Sequence, residues 1–123
     1  MKDDRLYLLH IAECISRVQS YTAGGKETFW TDIKTQDAVI RNLQTLAEST
    51  IRLSTAAKVK RPEVDWRSIA GFRNIVVHDY LGLDLDEIWD IVSRDIPMLK
   101  SAVEALLKDL GLNSSQTVAG GTG

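Results

Sequence analysis

The chain has 123 residues, of which 44% are hydrophobic and 26% are charged. A chain of this size and balance buries one compact core, which predicts a single folded domain and excludes a disordered protein. The formal net charge of −2 excludes a protein that coats nucleic acid through overall positive charge.

The start of the chain and its cysteine content indicate the cellular compartment. After Met1 the sequence becomes amphipathic at once, without the apolar run of a signal peptide, and nowhere does it offer the roughly 20 consecutive apolar residues that a membrane span needs. We therefore expect a cytoplasmic protein without a membrane partner. The single cysteine, Cys14, permits neither an internal disulfide nor a thiolate metal cluster, so we expect it to be a small core residue.

Helical periodicity predicts an α-helix over about residues 2–20, ended by a turn that contains Gly24 and Gly25. The second and longest helix is expected over about residues 31–59, because it contains neither proline nor glycine, and Pro62 ends it. Thr28 or Thr31 is a candidate N-cap for this second helix.

The third predicted helix begins between Glu63 and Ser68 and continues to about His78. A turn follows, with Asp84 as the candidate N-cap of a fourth helix that runs to about Leu110. Pro97 should produce a kink or a new start in that helix, and Gly111 should end it. The fold class is thus all-α, an antiparallel bundle of four to five helices over residues 1–112, with residues 113–123 as a disordered C-terminal tail.

Charge is distributed unevenly along the chain. Residues 41–73 contain seven basic and three acidic side chains, whereas residues 79–109 contain eight acidic and three basic ones. Such a distribution suits a basic groove on an acidic body, and it is also compatible with a solvated surface without function.

A helical wheel of about 100° per residue gives the third helix two faces. With Arg73 at zero, an apolar face lies between about 200° and 320° and consists of Ile69, Phe72, Ile75 and Val76. The opposite face, between about 40° and 160°, combines small and polar side chains: Arg67, Ala70, Gly71, Asn74, Val77 and His78. Small residues permit close helix approach, so this second face predicts symmetric pairing of two copies.

Arg73 and His78 point about 140° apart in a straight helix. One protomer alone therefore could not bring the two side chains into a single site. In a homodimer paired through this face, each Arg73 approaches the neighbouring His78. An arginine provides a planar cation that matches a phosphate, and histidine titrates near neutral pH. RNA cleavage without a metal requires a base, an acid and a cation, which the two His78 and Arg73 side chains can supply.

The run from Arg73 to Tyr80 reads R-N-x-x-x-H-x-Y and resembles the motif of HEPN-domain ribonucleases, specifically the HepT toxin family. The resemblance extends in chain order through residues 38–43, 64–72, 88–89 and 96–99. It implies a helical homodimer that cleaves RNA (tRNA or mRNA) without a metal or other cofactor. Arg73 and His78 inherit the catalytic role, and Arg67, Asn74, Asp79 and Tyr80 are candidate cleft residues.

The resemblance also implies a partner, a nucleotidyltransferase antitoxin of the MntA kind that adenylylates the motif tyrosine, here Tyr80. An AMP group there would add bulk and negative charge at the cleft. The charge of Asp79 would favour a protonated His78 or repel RNA, and the sequence leaves both effects open. An alternative function also stays open, a non-catalytic HEPN module that holds substrate or nucleotide for a minimal nucleotidyltransferase.

Other residues that could bind metal or nucleic acid have simpler explanations. His10 lies within the first predicted helix and has no partner at metal-ligand spacing, so we expect a surface or boundary role for it. Trp30, Trp66 and Trp89 could stack on bases, but widely spaced tryptophans in a small helical protein favour core or interface packing.

Overall fold

The computed structural model describes residues 3–75 and 84–112. Within these ranges the chain is helical and contains no strand, which confirms the predicted all-α class. The α-helices are α1 (Asp4–Tyr21), α2 (Lys26–Thr31), α3 (Ile33–Arg52), α4 (Thr55–Val59), α5 (Trp66–Gly71), α6 (Leu85–Asp90) and α7 (Ile96–Asp109). A 3₁₀ turn over Phe72–Asn74 continues α5, and a π-helical turn over Ile91–Asp95 joins α6 to α7.

Helix α3 is the central element of the bundle. It packs against α1, α2, α5 and the 3₁₀ turn, while α1 also packs against α7. The core between these helices consists mainly of aliphatic side chains, and its most deeply buried members include Leu8, Ile11, Phe29, Val39, Ile40, Leu43, Leu46, Ile96 and Leu99. Cys14 is fully buried among them, which confirms its predicted place in the core.

The turn after α1 uses one of its two glycines for an unusual backbone conformation. Gly25 has a φ of +93°, which is open to glycine and strained for other residues, whereas Gly24 keeps an ordinary φ. The short helix α2 then begins, and Asp32 rather than a threonine caps α3 by accepting a hydrogen bond from the backbone N–H of Lys34 at 3.1 Å. The predicted threonine cap is therefore wrong, because α2 occupies the threonine positions.

The predicted helix over residues 31–59 is interrupted in the structure. Leu53 adopts an extended conformation with ψ near 146°, and Ser54 caps α4 by accepting from the N–H of Ala57. The carboxylate of Asp4 in α1 accepts hydrogen bonds from the Ser54 backbone N–H at 2.9 Å and from its hydroxyl at 2.6 Å. A contact with another helix thus satisfies the polar groups at this break, which explains why local periodicity did not indicate it.

The region predicted as the fourth helix begins and ends as expected. Asp84 accepts from the N–H of Glu87 and caps α6. Pro97 lies in the first turn of α7, directly after the π-helical turn, which agrees with a proline that disturbs regular α-helical hydrogen bonding. Gly111, with a φ of +79°, ends α7, and the N–H of Leu112 reaches back to the carbonyl of Leu107.

The three tryptophans are half-buried against the core. Trp89 packs on Phe29 with ring centroids 5.4 Å apart, and the indole N–H of Trp66 donates to the carbonyl of Arg61 at the end of α4. These contacts confirm the packing explanation. Among the helices of residues 3–75 and 84–112, none combines the length and apolar character that crossing a bilayer requires.

Candidate active site

Helix α5 and its 3₁₀ continuation present the start of the R-N-x-x-x-H-x-Y motif. Asp65 fixes the start of α5 by accepting from the N–H of Ser68 at 3.1 Å. Ile69 and Phe72 are buried in the core, whereas Arg67, Gly71, Arg73 and Asn74 are exposed. The two predicted faces of this helix are therefore confirmed for the residues up to Asn74.

The helix that carries the motif ends earlier than its periodicity predicts. The α-helical conformation stops at Gly71, the 3₁₀ turn stops at Asn74, and Ile75 is extended with ψ near 121°. The prediction of a helix that continues to about His78 is therefore wrong, and the calculated 140° between Arg73 and His78 does not apply. The physical reason lies in α3, because the side-chain amide of Gln44 donates a hydrogen bond to the Ile75 carbonyl at 2.5 Å.

The Arg73 guanidinium lies at the surface beside an acidic side chain of α3. Its Nε is 3.9 Å from Oε1 of Glu48, and about half of each side chain is exposed. This distance makes an ion pair without a direct hydrogen bond. Arginine stays protonated at any physiological pH, so the site presents a permanent positive charge whose Nε edge faces a carboxylate.

The other predicted site residues are placed as follows. Arg67 and Asn74 are exposed, and within residues 3–75 and 84–112 no hydrogen bond or ion pair engages either side chain. His78, Asp79 and Tyr80 lie outside the described residues, so the roles predicted for them stay predictions.

Sequence reasoning missed Gln44 and Glu48, which contact the motif from α3. Their four-residue spacing puts both on one side of the helix, next to the buried stripe that contains Leu43 and Ala47. That spacing marks them as neighbours, but only the tertiary packing shows that their side meets Ile75 and Arg73.

Most side chains of the basic stretch lie at the surface. Lys58 and Arg61 are half-buried, and the exposed members are Arg41, Arg52, Lys60, Arg67 and Arg73. Two ion pairs, Arg61 with Glu63 at 3.7 Å and Arg73 with Glu48, connect this stretch to acidic groups. The residues predicted to form a basic groove are thus largely open to solvent.

A second polar cluster lies between α1 and α3. His10 is half-buried, and its Nδ1 lies 2.6 Å from the Ser49 hydroxyl, while its Nε2 lies 4.0 Å from Sγ of Cys14. Burial raises the pKa of the Cys14 thiol, which keeps it protonated and unreactive. Among the described residues no group of three or more His, Cys, Asp or Glu side chains could hold a metal ion.

Comparison with known proteins identifies the family of this chain. The chain belongs to the HepT-like ribonuclease family, since its residues 11–106 match the family model described as Ribonuclease HepT-like. A relative from Thermococcus cleftensis named "Probable ribonuclease HepT" is 39% identical over 103 residues, which cover 83% of this chain and 94% of that protein.

Two further relatives show how far the similarity extends. The Methanocaldococcus jannaschii protein "Gamma-glutamylcyclotransferase and putative RNase MJ0434" is 34% identical over 93% of this chain, which spans only 52% of that relative. The "mRNA nuclease HepT" of Shewanella oneidensis is 26% identical, over 78% of this chain and 90% of that protein. No solved structure matches the chain.

Proposed function

We propose that the protein is a metal-independent endoribonuclease and the toxin of a toxin–antitoxin pair. In this proposal Arg73 and His78 act in a cleft at the interface of a homodimer. The observation that carries the proposal is the exposed Arg73 guanidinium at the end of the α5 segment, from which the chain leads directly to His78 and Tyr80. The names of the relatives, which include a ribonuclease and an mRNA nuclease, support the same activity.

The proposed chemistry assigns one task to each side chain. One His78 imidazole takes the proton of the ribose 2′-hydroxyl, and the 2′-oxygen attacks the adjacent phosphorus. The bond to the 5′-oxygen breaks, and a protonated His78 donates a proton to that leaving oxygen. Arg73 stabilises the negative charge that builds up on the phosphate oxygens. The products are a 2′,3′-cyclic phosphate and a free 5′-hydroxyl, so the step needs no oxidant and no metal.

The proposed dimer uses the exposed side of α5. Arg67, Gly71 and Asn74 are exposed there, and among the described residues nothing beyond the neighbouring backbone of its own helix lies within 4 Å of a Cβ built on Gly71. Such space among the described residues supports the close approach of a second helix. Arg67 and Asn74 would then flank the cleft, where the first can contact a phosphate and the second can hydrogen-bond to a phosphate oxygen or to the imidazole.

The proposed regulation places an AMP group on Tyr80. A nucleotidyltransferase antitoxin of the MntA kind would add it, and its negative charge would oppose an RNA phosphate near Arg73. Silencing is then an electrostatic and steric effect at the cleft, and it leaves the fold unchanged.

The test is a cleavage assay with the purified protein on total tRNA and on mRNA in the presence of EDTA. Arg73→Ala and His78→Ala should each lower the cleavage rate by at least about 100-fold, the usual order for loss of a group that stabilises the transition state. Mapping of the product ends should identify the 2′,3′-cyclic phosphate.

Arg17→Ala is the matched control, because Arg17 is also half-exposed and paired with a glutamate, Glu13, but lies on α1. It should cleave RNA at the wild-type rate. Full activity of Arg73→Ala would contradict the proposal. A wild-type protein that cleaves no RNA, yet binds nucleotide or its antitoxin tightly, would support the non-catalytic alternative.

A further inference from the structure

Two side chains of α3 contact the motif segment at two different points. The Gln44 amide donates to the Ile75 carbonyl, and the Glu48 carboxylate lies beside Nε of Arg73. We infer that Gln44 and Glu48 are positioning residues that fix the Arg73 guanidinium for its role on the phosphate. This inference rests on the proposed ribonuclease function and adds two residues outside the motif to its site.

The two residues are suited to this task because α3 is held firmly in the core. Leu43, Leu46 and Ala47 are each fully buried, so the helix that presents Gln44 and Glu48 has little freedom to shift. One contact holds the backbone two residues after Arg73, and the other holds the arginine side chain itself. Together they restrict the backbone next to Arg73 and the guanidinium group of its long, flexible side chain.

The ion pair contributes little to stability at its present exposure. Both side chains are about half exposed, and solvent screens such pairs strongly. Glu48 also lies near the C-terminal end of α3, where the helix dipole does not favour a carboxylate. Fold stability therefore does not explain Glu48, whereas orientation of the neighbouring guanidinium does.

The geometry of the contact is compatible with phosphate binding. Glu48 lies beside Nε of Arg73, and the two terminal nitrogens can form an end-on bidentate contact with a phosphate. Arg73 can therefore keep Glu48 as a neighbour while it engages the scissile phosphate. Glu48 would also repel that phosphate weakly, so its removal should lower kcat without raising KM.

Glu48→Gln tests the inference by steady-state cleavage of a defined RNA. We expect kcat to fall about tenfold, since a displaced catalytic group loses rate steeply, while KM stays the same or decreases. Glu48→Asp, which restores the charge, should recover part of the loss. Gln44→Met, which removes the amide donor, should lower kcat in the same way. Thermal unfolding of each variant should give a Tm near that of the wild type.

Glu13→Gln is the matched control, because it removes an ion pair of similar exposure from α1. It should leave kcat and KM unchanged. A Glu48→Gln variant with the same kcat as the control would overturn the inference. A higher kcat/KM would also overturn it, because Glu48 would then act only as a competitor of the phosphate.

A second measurement separates the inference from the proposed function. The ¹⁵N relaxation of the Arg73 Nε–H, assigned with Arg73→Lys, should show an ordered group in the wild type and a mobile one in Glu48→Gln. If the wild type cleaves no RNA, the proposed function fails, and this measurement alone decides the positioning role. Unchanged order of the Nε–H in Glu48→Gln would overturn the inference whatever the activity.

Discussion

Helix α3 meets its neighbours in two contrasting ways. Toward α1 it contributes to the buried apolar core and makes the part-buried contact of Ser49 with His10. Toward the α5 segment it places Gln44 and Glu48 near the surface, beside Ile75 and Arg73. The contrast indicates that one helix stabilises the fold through one side and orients a charged group through the other.

The largest expected effect concerns the buried side. Leu46 is fully buried, one turn before Ser49 on α3, so Leu46→Ala should lower the free energy of unfolding by about 2–5 kcal/mol. Chemical denaturation measures this value. The rate of RNA cleavage per folded molecule should remain that of the wild type if the two sides of α3 are separate in function.

Ile33→Ala provides the control for that change, because Ile33 is an aliphatic residue of the same helix with 66% of its surface exposed. It should change the unfolding free energy by less than about 0.5 kcal/mol. Equal destabilisation by the two variants would show that α3 is not anchored through its buried stripe.

An intermediate effect is expected at the hydrogen bonds between α1 and the break after α3. Asp4→Asn removes the negative charge that accepts both bonds from Ser54, and should cost about 1–3 kcal/mol of stability, as for hydrogen bonds to charged groups. Thermal unfolding near pH 7 measures the loss. Asp37→Asn, at an exposed position of α3, should cause almost no loss of stability. A similar loss in both variants would refute the role of Asp4.

The smallest effect is expected at Asp95. This residue lies near Asp65, which caps α5. Partial desolvation is the largest cause that raises the pKa of Asp95, an exposed residue; the charge of Arg94 opposes this shift, and the negative charges of Asp65 and Asp90 add to it. A raised pKa means that the ionised carboxylate destabilises the fold at pH values above it. Asp95→Asn should therefore raise the Tm slightly at pH 7.

The pH dependence checks this sign. As the pH falls through the pKa of Asp95, the wild-type side chain becomes neutral in the fold, so the difference in Tm between the two proteins should shrink. A difference that grows toward low pH would show that the carboxylate stabilises the fold.

Much of the fold could be predicted from local sequence. The first helix, the Asp84 cap and the Gly111 stop depend on neighbouring residues, and each agrees with the structure. The exposed and buried sides of the α5 segment followed from the same periodicity up to Asn74. Of the candidate site, the exposed positions of Arg67, Arg73 and Asn74 could be predicted, because these residues lie close together in the chain.

The features that escaped prediction depend on contacts between distant residues. The break at Ser54 is satisfied by Asp4, and the end of the motif helix is fixed by Gln44, 31 residues before its partner Ile75. Glu48 reaches Arg73 across a similar separation. No propensity or spacing rule specifies such partners, because they are chosen by how α3 packs on its neighbours.

The bonds between Asp4 and Ser54 also have a consequence for the order of folding. They join residues 50 positions apart, so they can form only after the intervening chain has closed into a loop and α1 has docked on α3. Ser54 in turn caps α4. The start of α4 is therefore fixed late in assembly, and weakening these bonds should accelerate unfolding more than it slows refolding.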